Sequence, residues 1–248
     1  MRPPLKPQPI IIPKLGRPPR RGFHLTLDGP RGVGTTTVAE QVCDLLGAYS
    51  IPCTAVAEPS DSPQGRMLRE NPDRFAGLLL AERLAADRHE QERAVVRPAL
   101  ARGQTVVSDG HIASCLVYQR MDAANLGDLW RIHEPWLVPD LCVILKGEPP
   151  VLAVRRRRAG IAQTYLDVLG NHTHMETVYF HDAVEWLRLK RIPVMVIDTS
   201  VMTPDGVAAR IVMEVANTAT RTDAYAPGRL TPARPHEIGS LQDRGLSC

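Results

Sequence analysis

One stretch of this chain decides its fold: FHLTLDGPRGVGTTT, at residues 23–37. Its first six residues form a short apolar run of strand length, a glycine-rich turn follows, and a helical pattern begins near Thr35. A strand, a glycine-rich loop and a helix in this order form a phosphate-binding loop, or P-loop. Its backbone N–H groups surround an anion, and the helix N-terminus adds partial positive charge. The stretch predicts that a nucleotide binds where the first strand ends.

The P-loop supplies its own candidate ligands. Thr36 occupies the position whose hydroxyl binds Mg²⁺ in such loops. The preceding position, where a lysine normally contacts the β- and γ-phosphates, is Thr35. Threonine donates a hydrogen bond but brings no charge, so nucleotide binding is predicted more firmly than phosphoryl transfer. We assign nucleotide binding to Gly29, Arg31, Gly32, Val33, Gly34, Thr35, Thr36 and Thr37.

Two cations could replace the missing lysine charge. Arg31 lies within the loop, and Lys146 follows the apolar run 140–145, whose end approaches the loop if this strand neighbours the first. The alternative is that both are ordinary solvated surface cations. The sequence leaves both interpretations open.

The rest of the chain repeats the alternation of short apolar runs and longer helical patterns. Near-continuous apolar strands separated by helices indicate a parallel sheet that is covered on both faces. Right-handed crossovers then predict an α/β protein with a three-layer α/β/α doubly wound P-loop fold, a five-stranded parallel sheet and a helical lid. The predicted strands are 23–28, 53–58, 105–109, 140–145 and 194–198, and the predicted helices are 35–49, 74–101, 112–135, 149–160, 175–190 and 204–216.

Composition divides the chain into three parts. Residues 1–21 are rich in proline and carry six basic residues and no acidic ones, whereas the rest has more acidic than basic residues. We predict a disordered basic arm over 1–21, a folded P-loop domain over 22–216 and a disordered tail over 217–248. A mildly acidic body argues against a nucleic-acid-binding surface, so we expect nucleotides and no nucleic acid as partners.

Cysteine usage and hydropathy bear on location. The five cysteines form no CxxC pair, and three lie in apolar runs, where a free cysteine behaves as a small buried hydrophobe. This usage favours a reducing, cytoplasmic location. No apolar stretch approaches the ~20 residues that span a bilayer, so we expect no membrane partner.

Four motifs in order resemble those of the thymidylate kinases. They are LDGPRGVGTTT, AEPSDSPQGRMLRE, LAADRHEQERAVVRPALARGQTVVSDGHIASCLVYQ and PDLCVILKGEPP, and the resemblance runs from about residue 23 to residue 216. It implies a nucleoside-monophosphate kinase of the P-loop class that uses ATP and Mg²⁺ to phosphorylate dTMP to dTDP. It also implies a homodimer.

The resemblance implies chemistry for single residues. Asp28 corresponds to the acid near the metal and the acceptor phosphate, and Asp109 to the acid that holds Mg²⁺ together with Thr36. Arg155 and Arg158 stand where the lid opens, in a segment whose arginines clamp phosphates. The implied acceptor-binding residues are Glu58, Arg88, Ser114, Tyr118 and Gln119.

Three positions depart from the family's pattern. Besides Thr35, Gly110 replaces the arginine that grips the acceptor phosphate, and Leu84 replaces the phenylalanine that stacks on thymine. Arg88 matches the arginine that reads the pyrimidine edge, although an exposed helix arginine is the alternative. An aspartate at a strand end is alternatively a loop cap, and the arginines 155–158 are alternatively a solvated face.

These departures keep three functions open. The first is an active kinase acting on a nucleoside monophosphate. The second is a degenerate nucleotide-binding pseudo-kinase with a regulatory role, because two lost phosphate-contacting cations would cost ~10³-fold or more in rate. The third is a kinase for an unusual nucleoside or secondary metabolite.

Overall fold

The computed structural model describes residues 22–71, 74–121, 124–134, 137–160 and 172–223. The predicted N-terminal arm lies outside these residues. So do the last 25 residues of the chain and the centre of the predicted lid, residues 161–171. The fold below is that of the described part.

A five-stranded parallel sheet forms the centre, in the order β2-β3-β1-β4-β5, and confirms the predicted fold class. The first strand lies in the middle, where Leu25 pairs with Val107 on one side and with Leu141 on the other. All six of its residues are buried, so the P-loop begins at the centre of the carboxyl edge. The strands are β1 (Phe23–Asp28), β2 (Cys53–Ala57), β3 (Thr105–Asp109), β4 (Leu141–Lys146) and β5 (Val194–Asp198).

Helices cover both faces of this sheet. Side chains alternate along β4, so that Val143 packs into one hydrophobic cluster and Ile144 into the other. The first and last helices and Leu152 complete the Val143 side, and the helices Ile112–Met121, Leu126–His133 and His172–Leu189 complete the Ile144 side. The helices are α1 (Thr35–Ala48), α2 (Pro63–Glu70), α3 (Gly77–Gln91), α4 (Arg97–Ala101), α5 (Ile112–Met121), α6 (Leu126–His133), α7 (Pro149–Arg158), α8 (His172–Leu189) and α9 (Pro204–Asp223), with a π-helical turn (Glu92–Val96) between α3 and α4.

Several helices differ from the sequence interpretation, and the predicted helix 74–101 begins only at Gly77 and consists of α3, the π-helical turn and α4. The helix α2 was missed because its eight residues show little apolar periodicity, although Ser62 caps it and a proline begins it. The predicted helix 112–135 is two helices, since Asn125 starts α6 by accepting a hydrogen bond from the N–H of Asp128. The helix α9 continues to Asp223, beyond the boundary predicted at residue 216. None of the described helices is long and apolar enough to cross a membrane.

A disulfide bridge corrects the interpretation of the cysteines. Cys43 of α1 and Cys53 of β2 are bonded, with their Cα atoms 5.3 Å apart, whereas Cys115 and Cys142 are free and buried. The prediction of free, buried cysteines is therefore confirmed for Cys115 and Cys142. It does not hold for Cys43 and Cys53, which form the disulfide. A ten-residue spacing has no recognisable pattern, and the pairing arises because the chain returns from α1 directly into β2. Cysteine usage no longer argues for a reducing compartment.

Candidate functional site

The P-loop and the start of α1 line a cavity of about 650 Å³. Gly32 and Gly34 have φ angles of 81° and 99°, in the left-handed region that strains any residue with a side chain. Of the eight predicted nucleotide-binding residues, the seven from Arg31 to Thr37 line this cavity. Gly29 does not, but a Cβ there would lie 2.5 Å from the Leu145 carbonyl oxygen, so glycine lets the loop approach β4.

Arg155 of α7 forms the opposite wall of this P-loop cavity. Its Nη1 donates to the hydroxyl of Thr199 at 2.9 Å and its Nη2 to the carbonyl of Thr199 at 2.8 Å. Nη1 also lies 3.5 Å from the carbonyl oxygen of Val33. The guanidinium thus joins α7 to both the P-loop and the segment after β5. Arg158, which was predicted beside it, is exposed and does not line the cavity.

Thr36 and Asp109 meet at the carboxyl edge of the sheet. The Thr36 hydroxyl donates to Asp109 Oδ2 at 2.5 Å because β3 lies next to β1. A hydroxyl and a carboxylate are hard oxygen ligands that suit Mg²⁺, which takes few protein ligands and completes its shell with water and phosphate oxygens. Within the described residues no group of three His, Cys, Asp or Glu side chains could hold a metal. Mg²⁺ bound between Thr36 and Asp109 would therefore depend on the nucleotide's phosphates.

Asp28 is fully buried and anchors α5. Its Oδ1 accepts from the N–H of His111 at 2.7 Å and from the N–H and hydroxyl of Ser114 at 3.0 and 2.6 Å. A carboxylate at a helix N-terminus is favourable. Burial raises the pKa of Asp28, and the hydrogen bonds from Ser114 and His111 oppose that shift. Its geometry is that of an anchor, and the predicted contact with a metal or an acceptor phosphate stays a prediction.

Glu58 and Arg88 form a buried ion pair. Arg88 Nε lies 2.9 Å from both Glu58 carboxylate oxygens, and Nη2 lies 2.6 Å from Oε2. Arg88 is only 1% exposed. Its Nη1 donates to His133 Nδ1 at 3.0 Å, and its Nη2 also contacts the sulfur of Cys115 at 3.1 Å. These four residues are called the Arg88 cluster below. Most of the guanidinium's donors are satisfied within the protein, so Arg88 presents almost no surface to a pyrimidine.

Three histidines are buried in their neutral form, His133 within the Arg88 cluster and His24 and His111 beside it. Burial, reinforced by the positive charge of Arg88, lowers the pKa of His24 to about 3 and that of His133 to about 2. The same causes lower the pKa of His111 well below its ordinary value. The cluster is therefore one charge pair among uncharged groups. The sequence analysis did not select His133 or Cys115, because neither lies at a spacing from Arg88 that a known motif would indicate.

Asp87 holds the segment that follows the cis peptide bond between Glu58 and Pro59. Its buried carboxylate accepts from the N–H and hydroxyl of Ser60, both at 2.6 Å, and from the hydroxyl of Ser62 at 2.8 Å. Neighbouring residues of α3 thus bind the two ends of one short loop, Arg88 at Glu58 and Asp87 beyond the proline.

The remaining predicted acceptor residues, Ser114, Tyr118 and Gln119, all lie on α5. The Tyr118 hydroxyl donates to the carbonyl oxygen of Gly29 at 3.3 Å, and its ring centroid lies 5.4 Å from the guanidinium carbon of Arg31. Ser114 is engaged by Asp28, as described above. Gln119 is buried in α5. Of these side chains, that of Tyr118 bonds to the loop itself.

Two charged residues beside the P-loop were missed. Glu176 of α8 is fully buried and lies 3.6 Å from Arg31 Nε and 4.0 Å from Arg156 Nη1. The stem of Arg156 packs against the loop, since a Cβ on Gly32 would lie 2.6 Å from Arg156 Cγ. A run of four arginines does not indicate which one faces inward. Lys146, by contrast, is 57% exposed and pairs with Asp198, so it does not replace the missing lysine.

The family comparison and the similar proteins named below all point to one family. The family model described as thymidylate kinase matches residues 27–200. A thymidylate kinase of Xanthomonas oryzae pv. oryzae is 29% identical over 160 residues, which cover 64% of this chain and 70% of that protein. A thymidylate kinase of Chromohalobacter salexigens is 36% identical over 155 residues, covering 56% of this chain and 71% of that protein. The family match extends from the P-loop to the end of β5.

Proposed function

Because this chain belongs to the thymidylate kinase family, we propose that it is an ATP-dependent kinase whose acceptor is a nucleoside monophosphate. The observation that carries the proposal is the P-loop cavity, with the Thr36 hydroxyl and the Asp109 carboxylate in contact at its edge. Phosphoryl transfer requires positioning and positive charge around the phosphate oxygens more than it requires covalent chemistry. The cavity supplies both through backbone N–H groups and arginines.

The donor half of the reaction follows from the residues that line this cavity. The N–H groups of the loop and the first turn of α1 bind the ATP phosphates, and Arg155 closes the opposite wall. Thr36 and Asp109 would hold Mg²⁺, which would neutralise negative charge on the phosphates. Thr35 adds a hydrogen bond only, so charge must come from elsewhere.

The acceptor half supports a second candidate, a kinase whose acceptor is not dTMP. By resemblance the acceptor is dTMP, yet Arg88 is engaged by Glu58, His133 and Cys115. Leu84 and Gly110 remove the stacking ring and the phosphate-binding arginine that the resemblance implies. A site without these groups favours an acceptor other than dTMP.

One experiment separates these functions: ATP consumption against a panel of nucleosides and nucleoside monophosphates, for the native protein and for Thr35→Lys. We expect native turnover with at least one acceptor and a higher rate for Thr35→Lys, because lysine adds charge at the β- and γ-phosphates. Ala48→Lys is the matched control, since it adds the same charge at the exposed far end of α1.

Each outcome selects one function. Turnover with dTMP supports the family reaction, and turnover with another acceptor alone supports the second candidate. A native protein that binds ATP without consuming it for any acceptor is a pseudo-kinase, and our proposal is then wrong. If ATP binds to neither form, the nucleotide site itself is wrongly assigned.

A further inference from the structure

A second cavity, of about 420 Å³, opens between the sheet and α8. Its floor is formed by Ile144 of β4 and Val196 of β5, which are paired neighbours on one face of the sheet. Residues of α8 form one wall, and Pro30 and Gly147 lie where the cavity reaches the carboxyl edge. Among the described residues, none lines both this cavity and the P-loop cavity. The α8 cavity, as it is called below, therefore has the size of a ligand site but lies outside the one proposed for the nucleotide.

The α8 cavity exists because helices cover this end of the sheet incompletely. Side chains alternate along the edge strand β5, so that Ile197 packs beneath the first and last helices while Val196 points to the opposite face. On that face α8 packs against α5 and buries Phe180 and Val184. Val196 stays half-buried at the flank of the helix. The result is a concave apolar surface that the apolar part of a small molecule can cover.

Positive charge lies at the rim of this cavity. Lys146 at the end of β4 and Arg188 of α8 both line it, and both side chains are more than half exposed. No acidic side chain is among the described residues that line it. Lys146 pairs with Asp198 at 3.4 Å and Arg188 with Glu185 at 2.7 Å, so both acids lie outside the lining. Because exposed pairs of this kind contribute little, an anion that reaches the rim can recruit either cation.

We propose that the α8 cavity is a second ligand site, which binds a small molecule with an apolar body and one anionic group such as a carboxylate or a sulfonate. The apolar body covers Ile144, Phe180 and Val196, and the anionic group pairs with Lys146 and Arg188 at the rim. The proposal concerns a site that phosphoryl transfer does not use, so it holds whether or not the chain consumes ATP.

The ligand touches the P-loop from behind, without entering the P-loop cavity. Pro30 lines the α8 cavity, and its carbonyl accepts from the N–H of Val33 at 3.0 Å. The ring of Phe180 lies edge-on to that of Tyr118, with centroids 6.0 Å apart, and Tyr118 donates to the Gly29 carbonyl. Ligand and nucleotide thus occupy neighbouring but separate sites, and a nucleotide should not displace the ligand.

The test is a fluorescence titration of the full chain with two probes that share one apolar body. Anilinonaphthalene sulfonate carries a single sulfonate, whereas phenylnaphthylamine has the same rings without it. We expect the sulfonate to bind more tightly. Lys146→Gln combined with Arg188→Gln should weaken sulfonate binding about tenfold, the effect of losing charge-assisted hydrogen bonds, and leave the uncharged probe within about twofold of native. The matched control combines Arg157→Gln with Arg210→Gln, which removes two exposed cations outside the cavity and should change neither affinity.

Val196→Trp tests the apolar floor. We expect it to weaken both probes about tenfold or more, because the indole ring occupies their space. The control Val201→Trp adds the same ring at a position that is 93% exposed and outside the cavity, and it should leave both affinities near native. Thermal unfolding of each variant confirms folding. If Val196→Trp does not fold, the two double charge variants still decide the matter.

Each outcome supports or overturns the site. Equal sulfonate affinity in the two double charge variants overturns the proposed ligand class, and equal affinities in Val196→Trp and Val201→Trp overturn the cavity as the site. Displacement of the probe by ADP overturns it as well, since the probe then lies in the P-loop cavity. The expected pattern in a protein that consumes no ATP supports this site and rejects only the kinase function. Turnover of an acceptor without any of the expected losses rejects this site and leaves the kinase function intact.

Discussion

The P-loop cavity and the Arg88 cluster lie at the same carboxyl edge of the sheet, yet they are built in opposite ways. The cavity is open, of about 650 Å³, and is shaped largely by backbone between β1 and α1. The Arg88 cluster is closed and consists of side chains, with an arginine that is 1% exposed at its centre. In the cavity, the backbone of the loop and of the first turn of α1 forms much of the lining. In the cluster, charged groups already have their partners within the protein.

The two regions should therefore respond differently to substitution. The cavity depends on glycines and on strand and helix geometry, which this chain has. Acceptor recognition would depend on individual side chains, and the family resemblance predicts departures there at Leu84 and Gly110. The comparison predicts that changes in the cluster affect stability, whereas changes in the cavity affect ligand binding.

Removal of Arg88 should give the largest effect. Arg88→Ala leaves Glu58 buried without its cation, so the free energy of unfolding should fall by about 3–5 kcal/mol. The measurement is urea denaturation followed by circular dichroism. Arg93→Ala, which removes an exposed pair with Glu90, is the control and should cost under about 1 kcal/mol. Equal losses in the two variants would mean that Arg88 is not a structural ion pair and remains available to substrate.

A fall in pH should give the next largest loss of stability, through the buried histidines His24 and His133. The folded-state pKa values of His24 and His133 are about 3 and about 2, below the unfolded value of 6.5. As pH falls below 6.5, the unfolded chain binds protons that the folded chain does not, so stability falls by about 1.4 kcal/mol per pH unit for each histidine. This loss continues until the pH approaches the folded pKa. Denaturation from pH 7 to pH 5 measures it.

Single histidine variants sharpen that prediction. His133→Gln should remove about 2 kcal/mol of the loss between pH 7 and pH 5, because one of the titrating groups is gone. His181→Gln replaces an exposed histidine of α8 and should leave the pH profile unchanged. If both variants follow the native profile, the acid sensitivity arises outside the cluster.

Backbone packing beside the cluster should give an intermediate effect. A Cβ on Gly65 would lie 2.1 Å from the carbonyl oxygen of Ser60, so Gly65→Ala should destabilise the protein by about 1–3 kcal/mol. Gly47 of α1 has open space around it, and Gly47→Ala should stabilise the helix by about 0.5–1 kcal/mol. Thermal unfolding of the two variants should move in opposite directions. If Gly65→Ala raises the melting temperature as Gly47→Ala does, the loop after Pro59 rearranges to accommodate the added methyl group.

A substitution in the P-loop cavity should give the smallest change in the free energy of unfolding. Thr36→Val removes the exposed hydrogen bond to Asp109 and should cost at most about 1 kcal/mol. Its ATP affinity should nevertheless become the same with Mg²⁺ as with EDTA, because the hydroxyl ligand is lost. Thr54→Val removes a threonine hydrogen bond on β2 and should keep the Mg²⁺ dependence. Persisting Mg²⁺ dependence in Thr36→Val would place the metal elsewhere.

Much of the fold was predictable because its signals are local. The predicted strands at 23–28, 105–109 and 194–198 have the observed bounds, the strand 53–58 is one residue too long, and the strand 140–145 is shifted by one residue at both ends. The P-loop residues from Arg31 to Thr37 line one cavity, since contiguous residues share one loop, and their binding of a nucleotide stays a prediction. The disulfide was not predictable, because its formation depends on how α1 packs beside β2. The cap at Asn125 was overlooked although the residue type carries the signal.

The candidate site was predictable only in part, because its contacts join residues that are far apart in the sequence. Glu58 and Arg88 were both selected, but only the structure shows that they satisfy each other. The sequence analysis selected Arg155 and Arg158, whereas the phase of α7 on the P-loop decides that Arg156 faces Glu176.

The sequence by itself determined a parallel α/β sheet with a phosphate-binding loop, because glycine positions and apolar periodicity act over a few residues. The tertiary structure alone decided which charges meet. Residues that are 30 to 145 positions apart, such as Glu58 with Arg88 and Arg31 with Glu176, come together through strand order and helix packing. Those contacts determine which arginines are available to a phosphate.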